Sequence, residues 1–376
     1  MRPTFSLLGL VAATVAAAVA VAGAGCSSPR SSSTHGTGGS PGTGSSTAAA
    51  SGSTGGGPAT AAGSGITGSG SGAGSGGADA GAPGTPTFVV AGYDLRRVIS
   101  TDGSTWSHDV SDPPDPMNLD NIGDGIAFGR GICAVVAHSG LRTTSDGVTW
   151  TKIGAPLPQQ WPGLGGGKVV FTGGFFLIVA SSDSYKSTDG VIWQAFSSSA
   201  GATHWNGLAH GNGHFVAVGD SNGAGGDRKA SEDGETWHDY QEGGPRYGAV
   251  AFGNGVFVAV GNGGTLHTTP DGKTWSDHSD PSLGDLGNLV FAGGQFLTCP
   301  PSTSKCFTSP DGATWTPHDA SSPPDGPITH GLGLYLSISW ESNIWTSPDG
   351  FAWTKAWSGA PGSNALASVG FGALGP

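Results

Sequence analysis

A seven-residue phrase that recurs seven times constrains this chain more than any other feature. It first reads STDGSTW at 100–106, and near copies stand at 144–150, 187–193, 231–237, 269–275, 309–315 and 347–353. The tryptophans that end these phrases are spaced 44, 43, 44, 38, 40 and 38 residues apart. A regular spacing of about 40 residues predicts an array of one repeated structural unit.

Each repeat predicts four short strands. Between the phrases, stretches such as GLAHGNGHFVAVGD and GAVAFGNGVFVAVGN hold two alternating apolar runs split by Gly-Asn-Gly, which is a hairpin signal. A third strand runs into Ser/Thr-x-Asp-Gly, and a fourth leaves through Thr-Trp. In that turn the Asp can accept backbone N–H bonds, the Gly supplies a left-handed conformation and the Trp covers the turn. Four-stranded antiparallel units without helical patterns predict an all-β fold, the β-propeller.

The two ends of the repeat region predict how the ring closes. Phe88 to Ala91 match a second strand, and no first strand precedes them. The segment NALASVGFG at 364–372 follows the last phrase and matches a first strand without companions. We therefore expect the C-terminal strand to complete the first blade, which gives a seven-bladed β-propeller over residues 87–376.

The N-terminal residues predict export. Residues 1–25 carry Arg2, an apolar run and small residues, which is the layout of a secretory signal; the alternative is a single membrane-spanning anchor, which the Ala- and Gly-rich composition disfavours. In 27–86, 51 of 60 residues are Gly, Ser, Thr or Ala, too few apolar groups to offset chain entropy. We expect residues 26–86 to be a disordered tether.

The sequence GAGC that ends in Cys26 resembles the lipobox of bacterial lipoproteins. That resemblance implies lipidation of Cys26, attachment to a membrane and, since Ser27 follows, sorting to the outer membrane or cell surface. Gly23 departs from the pattern, because the family usually has Leu there.

Charge and cysteine content narrow the classes of partner. The net charge is -12, and 15 basic residues are scattered rather than clustered, so nucleic-acid binding is not expected. Cys299 and Cys306 flank PPSTSK and can close a hairpin as a disulfide in an oxidising compartment; the alternative is two reduced, packed thiols. Cys133 is expected in the core, and the protein is expected to be a monomer.

The heptapeptides resemble the Asp-box, or BNR repeat, of sialidases, xyloglucan-cleaving glycosidases, sortilin-type receptors and a photosystem II assembly factor. The resemblance covers 88–372 and is specific for the fold rather than for an activity. It implies that the boxes lie on the face opposite the usual ligand site. The Asp residues of the boxes are therefore expected to be structural, not catalytic: Asp102, Asp146, Asp189, Asp233, Asp271, Asp311 and Asp349.

Loops opposite the boxes carry the residues expected to bind a ligand. Trp161 and Trp205 precede the first strands of blades three and four, and Glu242, Arg246 and Tyr247 precede that of blade five. Such a rim can stack sugar rings or bind a peptide. The alternative is that these aromatic residues only cover the ends of the core between blades.

Enzymatic interpretations find less support. The sialidase resemblance implies three clustered arginines and an Arg-Ile-Pro motif, and the motif is absent. A paired-carboxylate glycosidase requires two acids across a cleft, and nothing in the spacing selects Glu242 with Asp120 or Asp124. No catalytic residue is therefore predicted.

Metal binding also finds little support. DSNGAGGD at 220–227 resembles part of a calcium loop that offers Asp220, Asn222 and Asp227, but it fails the EF-hand pattern. His210 and His214 align with Phe252 and Val256 of the next repeat, which favours packing over zinc binding. No cofactor is expected.

The function predicted from sequence is that of a cell-envelope lipoprotein with a ligand-binding or scaffold propeller, whose partner is a glycan or a protein. The alternatives are a glycoside hydrolase on the same fold and an assembly factor for a membrane complex.

Overall fold

The structure, a computed structural model, describes part of the chain. The described residues are 84–113, 123–137, 140–153, 167–180, 184–196, 204–220, 226–301, 303–321, 325–339, 341–360 and 363–375, without the side chains at 123–124 and 241–243. The chain divides into two units, Met1–Thr60 and Ala61–Pro376, and the described residues all belong to the second. The expected signal and nearly all of the expected tether lie outside the described residues.

Strands make up almost all regular structure of the described residues. In chain order they are β1 Thr85–Gly92, β2 Arg97–Ser100, β3 Ser107–Val110, β4 Gly123–Gly129, β5 Ile132–Ala137, β6 Gly140–Thr144, β7 Thr151–Lys152, β8 Lys168–Phe171, β9 Phe176–Val179, β10 Ser184–Ser187, β11 Gln194–Phe196, β12 His204–Gly211, β13 His214–Asp220, β14 Gly226–Ser231, β15 His238–Gly244, β16 Tyr247–Gly253, β17 Val256–Gly261, β18 Thr265–Thr269, β19 Ser276–Asp277, β20 Val290–Ala292, β21 Gln295–Thr298, β22 Lys305–Ser309, β23 Thr316–Asp319, β24 Ile328–Gly331, β25 Leu334–Ser339, β26 Asn343–Ser347, β27 Thr354–Ser358 and β28 Leu366–Leu374. Two short 3₁₀ turns lie at Asn262–Gly264 and Pro281–Leu283. Among the described residues, no helix is long and apolar enough to cross a membrane.

These strands form seven antiparallel sheets of four strands, which are the blades of a propeller. Blade 1 has the order β28-β1-β2-β3, and blades 2 to 7 are β4–β7, β8–β11, β12–β15, β16–β19, β20–β23 and β24–β27. The first strands contact one another in the closed sequence β28, β4, β8, β12, β16, β20, β24 and back to β28. They are therefore the inner strands, and the fourth strand of each blade is the outer one.

The C-terminal strand closes the ring as the sequence predicts. β28 pairs with β1 in antiparallel register from Thr85–Leu374 to Gly92–Leu366, with Phe88 opposite Phe371. β1 begins at Thr85, slightly before the expected domain start at residue 87. The seven-bladed fold with a first blade built from both chain ends is thus confirmed.

Hydrophobic clusters fill the junctions between neighbouring blades. One joins blades 2 and 3 through Val136, Phe171 and Trp193, and another joins blades 7 and 1 through Ile338 and Val90. Each of the other five junctions has its own cluster. Burial of this apolar area is what holds one blade to the next, because few backbone hydrogen bonds cross a junction.

An aromatic residue lies near the end of each inner strand, and at five of the seven junctions its ring packs against the preceding blade. From blade 1 to blade 7 these residues are Phe371, Phe128, Phe171, His210, Phe252, Phe291 and His330. At five junctions the ring covers a glycine of the preceding blade, and a Cβ at Gly253 would lie 2.2 Å from the ring of Phe291. At the other two junctions the next blade supplies the smaller imidazole of His210 or His330. There the preceding blade has Thr172 or Ala292 in place of the glycine.

The heptapeptides form the turns between third and outer strands. In the sixth turn the Asp311 carboxylate accepts the N–H groups of Ala313 and Thr314, both at 2.9 Å, and Gly312 has a φ of +74°. The indole N–H of Trp315 donates to the Gly312 carbonyl at 3.0 Å. We call the edge of the ring that carries these seven turns the turn face. The opposite edge, where second strands lead to third strands and outer strands lead to the next blade, is the loop face.

Candidate functional site

The seven turn carboxylates are engaged in backbone hydrogen bonds. Each accepts from the N–H groups two and three residues further on. Such bonds lower the pKa of Asp146 to about 2. In the other six turns the same bonds outweigh desolvation, and the Asp pKa is lowered as well. A carboxylate held in its charged form by its own turn is a poor general acid.

Three of the arginines are buried in ion pairs at the blade junctions. Arg96 makes two hydrogen bonds of 2.7 Å to Asp109, while Arg97 and Arg142 both bind Asp112 from neighbouring blades. The three arginines are at most 7% exposed. They stabilise the contacts between blades and do not converge on a shared solvent-filled site.

A fourth buried arginine lies between two aromatic rings at the junction of blades 4 and 5. The guanidinium carbon of Arg228 is 4.8 Å from the ring centroid of Trp275 and 5.6 Å from that of Tyr247. Its Nε and Nη1 atoms are buried and have no hydrogen-bond partner among the described residues. Burial lowers the pKa of Arg228. Arg97 and Arg228 each lie three residues before the Ser of their own turn. At this position Arg97 binds a carboxylate, whereas Arg228 makes cation–π contacts.

A chain of polar contacts leads from this arginine to the surface. The Tyr247 hydroxyl lies 3.0 Å from Nδ1 of His267, and Nε2 of His267 lies 3.5 Å from a carboxylate oxygen of Asp277. Burial raises the pKa of Tyr247 to about 12, so the phenol stays neutral. Burial, followed by the nearby charge of Arg228, lowers the pKa of His267. Sequence reasoning missed Arg228, His267 and Asp277, since their only signal was a fixed position relative to the turns.

The residues expected to bind a ligand do not form one exposed rim. Trp205 and Tyr247 are each only 1% exposed, so neither presents a ring face to solvent, and that part of the expectation is wrong. Trp161 and the side chain of Glu242 lie outside the described residues. Arg246 is on the surface of the loop face, with its side chain 58% exposed and its Nε 2.7 Å from Asp220.

β-bulges explain why the two rings are buried. The register of β12 against β13 shifts between Trp205 and Gly207, and that of β16 against β17 shifts between Tyr247 and Ala249. A bulge reverses the alternation of side chains, so Trp205 and Leu208 lie in one cluster although they are three residues apart. The Asn206 side chain at the first bulge donates to the Tyr247 carbonyl at 2.7 Å.

The predicted disulfide, the predicted buried cysteine and the possible calcium loop lie at different places in the structure. Cys299 and Cys306 are joined by a disulfide, with Cα atoms 4.2 Å apart. Cys133 is buried, and burial raises the pKa of its thiol. Asp220 and Asp227 flank a segment that lies outside the described residues and includes Asn222, so the calcium hypothesis is untested. Within the described residues, no group of three His, Cys, Asp or Glu is placed to hold a metal ion.

The turn of blade 4 is linked to both neighbours by exposed ion pairs. Lys186 of blade 3 binds Glu235 at 2.9 Å, and Lys273 of blade 5 binds Glu232 at 2.7 Å. Beside the second pair lies a cleft of about 290 Å³ that Tyr240 also lines. These pairs are solvent-exposed, so water and salt screen them and they are expected to add little to stability.

Comparison with known proteins supports the fold alone. No family model matches this sequence, and no curated protein matches it. A streptogramin B lyase structure is similar with a TM-score of 0.54 at 10% identity, covering 76% of this chain and 97% of that one. An inactive virginiamycin B lyase from Staphylococcus aureus with quinupristin has a TM-score of 0.53 at 12% identity, covering 66% and 93%. YCF48 bound to a D1 peptide has a TM-score of 0.48 at 19% identity, covering 62% and 81%.

At these identities the shared feature is the propeller.

Proposed function

We propose that this protein is an exported, lipid-anchored cell-envelope propeller that binds a glycan or protein partner through its loop face. The secretory pattern of residues 1–25 and the lipobox-like GAGC support export and anchoring. The resemblance of the heptapeptides to the Asp-box supports a ligand surface on the face opposite the turns. The protein is proposed to act as a monomer, without a cofactor.

The location of the charged side chains is the observation that best supports a binding role. The arginines at 96, 97, 142 and 228 are buried at three different junctions, and the turn carboxylates are bound to their own backbone. Among the described carboxyls, each resolved pKa shift is downward, whereas a glycosidase acid needs a raised pKa. This distribution favours a binding module over the hydrolase alternative.

Arg246 is the described loop-face residue best suited to contact a partner. Its planar guanidinium is more than half exposed and is oriented by Asp220, so it can bind a carboxylate or stack on a ring with little loss of side-chain entropy. Arginine is also enriched among residues that dominate binding energy at interfaces.

The test measures binding and hydrolysis with the same protein. The full chain is screened on a glycan array, against envelope proteins by cross-linking, and with fluorogenic glycosides. We expect a bound partner without hydrolysis, and Arg246→Ala is expected to weaken binding on the order of tenfold. Arg130→Ala is the matched control, because Arg130 is an exposed arginine on the turn face that donates to Gly174.

Two outcomes would contradict the proposal. Glycoside turnover would favour the hydrolase alternative. Equal loss of binding in the Arg246 and Arg130 variants would show that the loop face is not the contact surface. Capture of subunits of one membrane complex would instead support the assembly-factor alternative.

A further inference from the structure

Exposed aliphatic side chains concentrate in two neighbouring turns of the turn face. Ile192, Val191 and Val148 are 69%, 56% and 47% exposed, the three highest values among the large hydrophobic residues of the described chain. Val148 belongs to the turn of blade 2, and the other two belong to the turn of blade 3. We call these three residues the blade 2–3 patch. Three exposed apolar side chains on adjacent turns of one face are a candidate contact surface.

At Ile192 the patch has a residue that is less suited to the turn than the Thr found in most other turns. The position of Ile192 is occupied by Thr in five of the other turns, namely Thr105, Thr149, Thr236, Thr274 and Thr314. A Thr side chain there helps to lower the pKa of the turn Asp in turns 1, 2 and 4. Ile192 has no polar group to offer the turn Asp and exposes an aliphatic side chain to solvent. A residue that breaks a local rule without a folding benefit points to a function.

The chain enters the folded domain beside this patch. Thr85 at the start of β1 pairs with Leu374, and a Cβ on Gly147 would lie 3.3 Å from Cδ1 of that leucine. Gly147 immediately precedes Val148. The segment that carries the apolar run and Cys26 therefore joins the domain on the turn face, next to blade 2, and not on the loop face.

From these observations we propose that the blade 2–3 patch rests on the lipid bilayer that holds the N-terminus. The inference rests on the proposed lipid anchor, because a Gly/Ser tether with a reach of roughly 40 Å raises the local concentration of membrane and lets a small apolar patch suffice. Asp146 and Asp189 beside the patch already accept backbone N–H groups. The aliphatic side chains supply the contact, and the charges near it have both signs, since Arg130 lies on the same face between blades 2 and 3; this arrangement fits zwitterionic lipid and leaves the loop face pointing away from the membrane.

The test separates this contact from the anchor and from ligand binding. In a full chain with Cys26→Ser, an N-terminal His tag bound to a chelating lipid in phosphatidylcholine vesicles takes the place of the proposed lipid anchor, and Val191→Cys carries an environment-sensitive fluorophore. We expect a blue shift that is insensitive to salt and quenched by brominated acyl chains. Val148→Thr with Ile192→Thr should weaken this response on the order of tenfold. The same fluorophore at Ala313→Cys, on the turn of blade 6, is the matched control.

Ile192→Thr reproduces the residue of five other turns, and Val148→Thr changes an exposed position that is Ser, Glu or Lys in three other turns, so the thermal midpoint should not fall. An unshifted probe at residue 191, or equal shifts at residues 191 and 313, would overturn the proposal whether or not Cys26 is lipidated. Site-directed cross-linking from residue 191 to a protein rather than to lipid would also overturn it. Ligand binding by the loop face is measured separately and is expected to be unchanged in these variants.

Discussion

Trp205 shows how strongly one backbone irregularity determines the role of a side chain. It lies in the cluster between blades 3 and 4 with Val179, Leu208 and Phe215, because the bulge in β12 directs it inward. A regular strand would have placed Trp205 and Leu208 on opposite sides of the sheet. The residue is therefore part of the core and not of a binding rim.

Trp205→Ala is expected to lower the free energy of unfolding by about 3–5 kcal/mol, because the substitution leaves a large cavity between two blades. Urea unfolding followed by circular dichroism measures this loss. Val110→Ala, at a residue that is 43% exposed, is the control and should change stability by no more than about 0.5 kcal/mol. A variant at residue 205 that keeps full stability but loses a ligand would contradict the core assignment.

Individual residues were predictable where the physics is local. The Asp–Gly–Trp hydrogen bonding of the turns follows from seven residues and was expected from them. The burial of Trp205 and Tyr247 was not predictable in this way, since a bulge depends on pairing with a neighbouring strand. The only sequence signal for the bulge was the similarity of HWNGL at 204–208 to RYGAV at 246–250. In both segments the aromatic residue precedes the point where the regular alternation resumes.

At the scale of elements, the junction of blades 4 and 5 is sensitive to acid. His267 is packed against Tyr247, Trp275 and Arg228, with Asp277 and His278 also close enough to influence it. Protonation of His267 would place a second positive charge beside Arg228, which forms no ion pair with any carboxylate that the structure describes. The folded-state pKa of His267 is lowered from 6.5, so its contribution to stability is full above that value and is lost as the pH falls below it.

His267→Gln is expected to reduce the dependence of stability on pH between about 7 and 5, because glutamine cannot take up the proton. Thermal unfolding across this range gives the slope. Part of the dependence should remain, since burial also lowers the pKa of His210 and of His330. His204→Gln changes an exposed histidine and serves as the control. An unchanged slope in the His267 variant would contradict the assignment.

The closing strand is the element on which the ring most depends. β28 supplies Val369 and Phe371 to the junction with blade 7, and it also contacts β4 of blade 2. A chain that ends at Ala360 lacks this strand, so one blade and two junctions become incomplete. Since total stability is about 5–15 kcal/mol for a domain, we expect loss of cooperative unfolding and aggregation.

Size-exclusion chromatography and thermal scans of the shortened chain test this expectation. A chain that ends at Leu374 retains β28 and is the control. A synthetic peptide of residues 364–376 added to the shortened chain should restore a cooperative transition. A shortened chain that melts like the intact protein would show that the ring does not need the C-terminal strand.

At the scale of the whole molecule, repeat spacing predicted the architecture well because each blade is determined by local signals. Blade number, strand order and closure were all expected from residues 88–372 and are confirmed. The use of charged residues was harder to predict, since Arg96 and Arg97 are adjacent in the sequence but face the junctions of blade 1 with two different blades. A periodic sequence specifies the blades of a propeller. The loops, which distinguish the surface of one propeller from that of another, do not repeat and are not specified in this way.

The antiparallel pairing of β28, β1 and β2 has a mechanical consequence. β1 begins at Thr85 on the turn face, so in the proposed arrangement a pull between an N-terminal anchor and a partner on the opposite face would run along the axis of β1. Hydrogen bonds between strands are perpendicular to that axis, and tension would load them together in shear instead of peeling them one by one. The blade that both chain ends share is thus the one oriented to bear force.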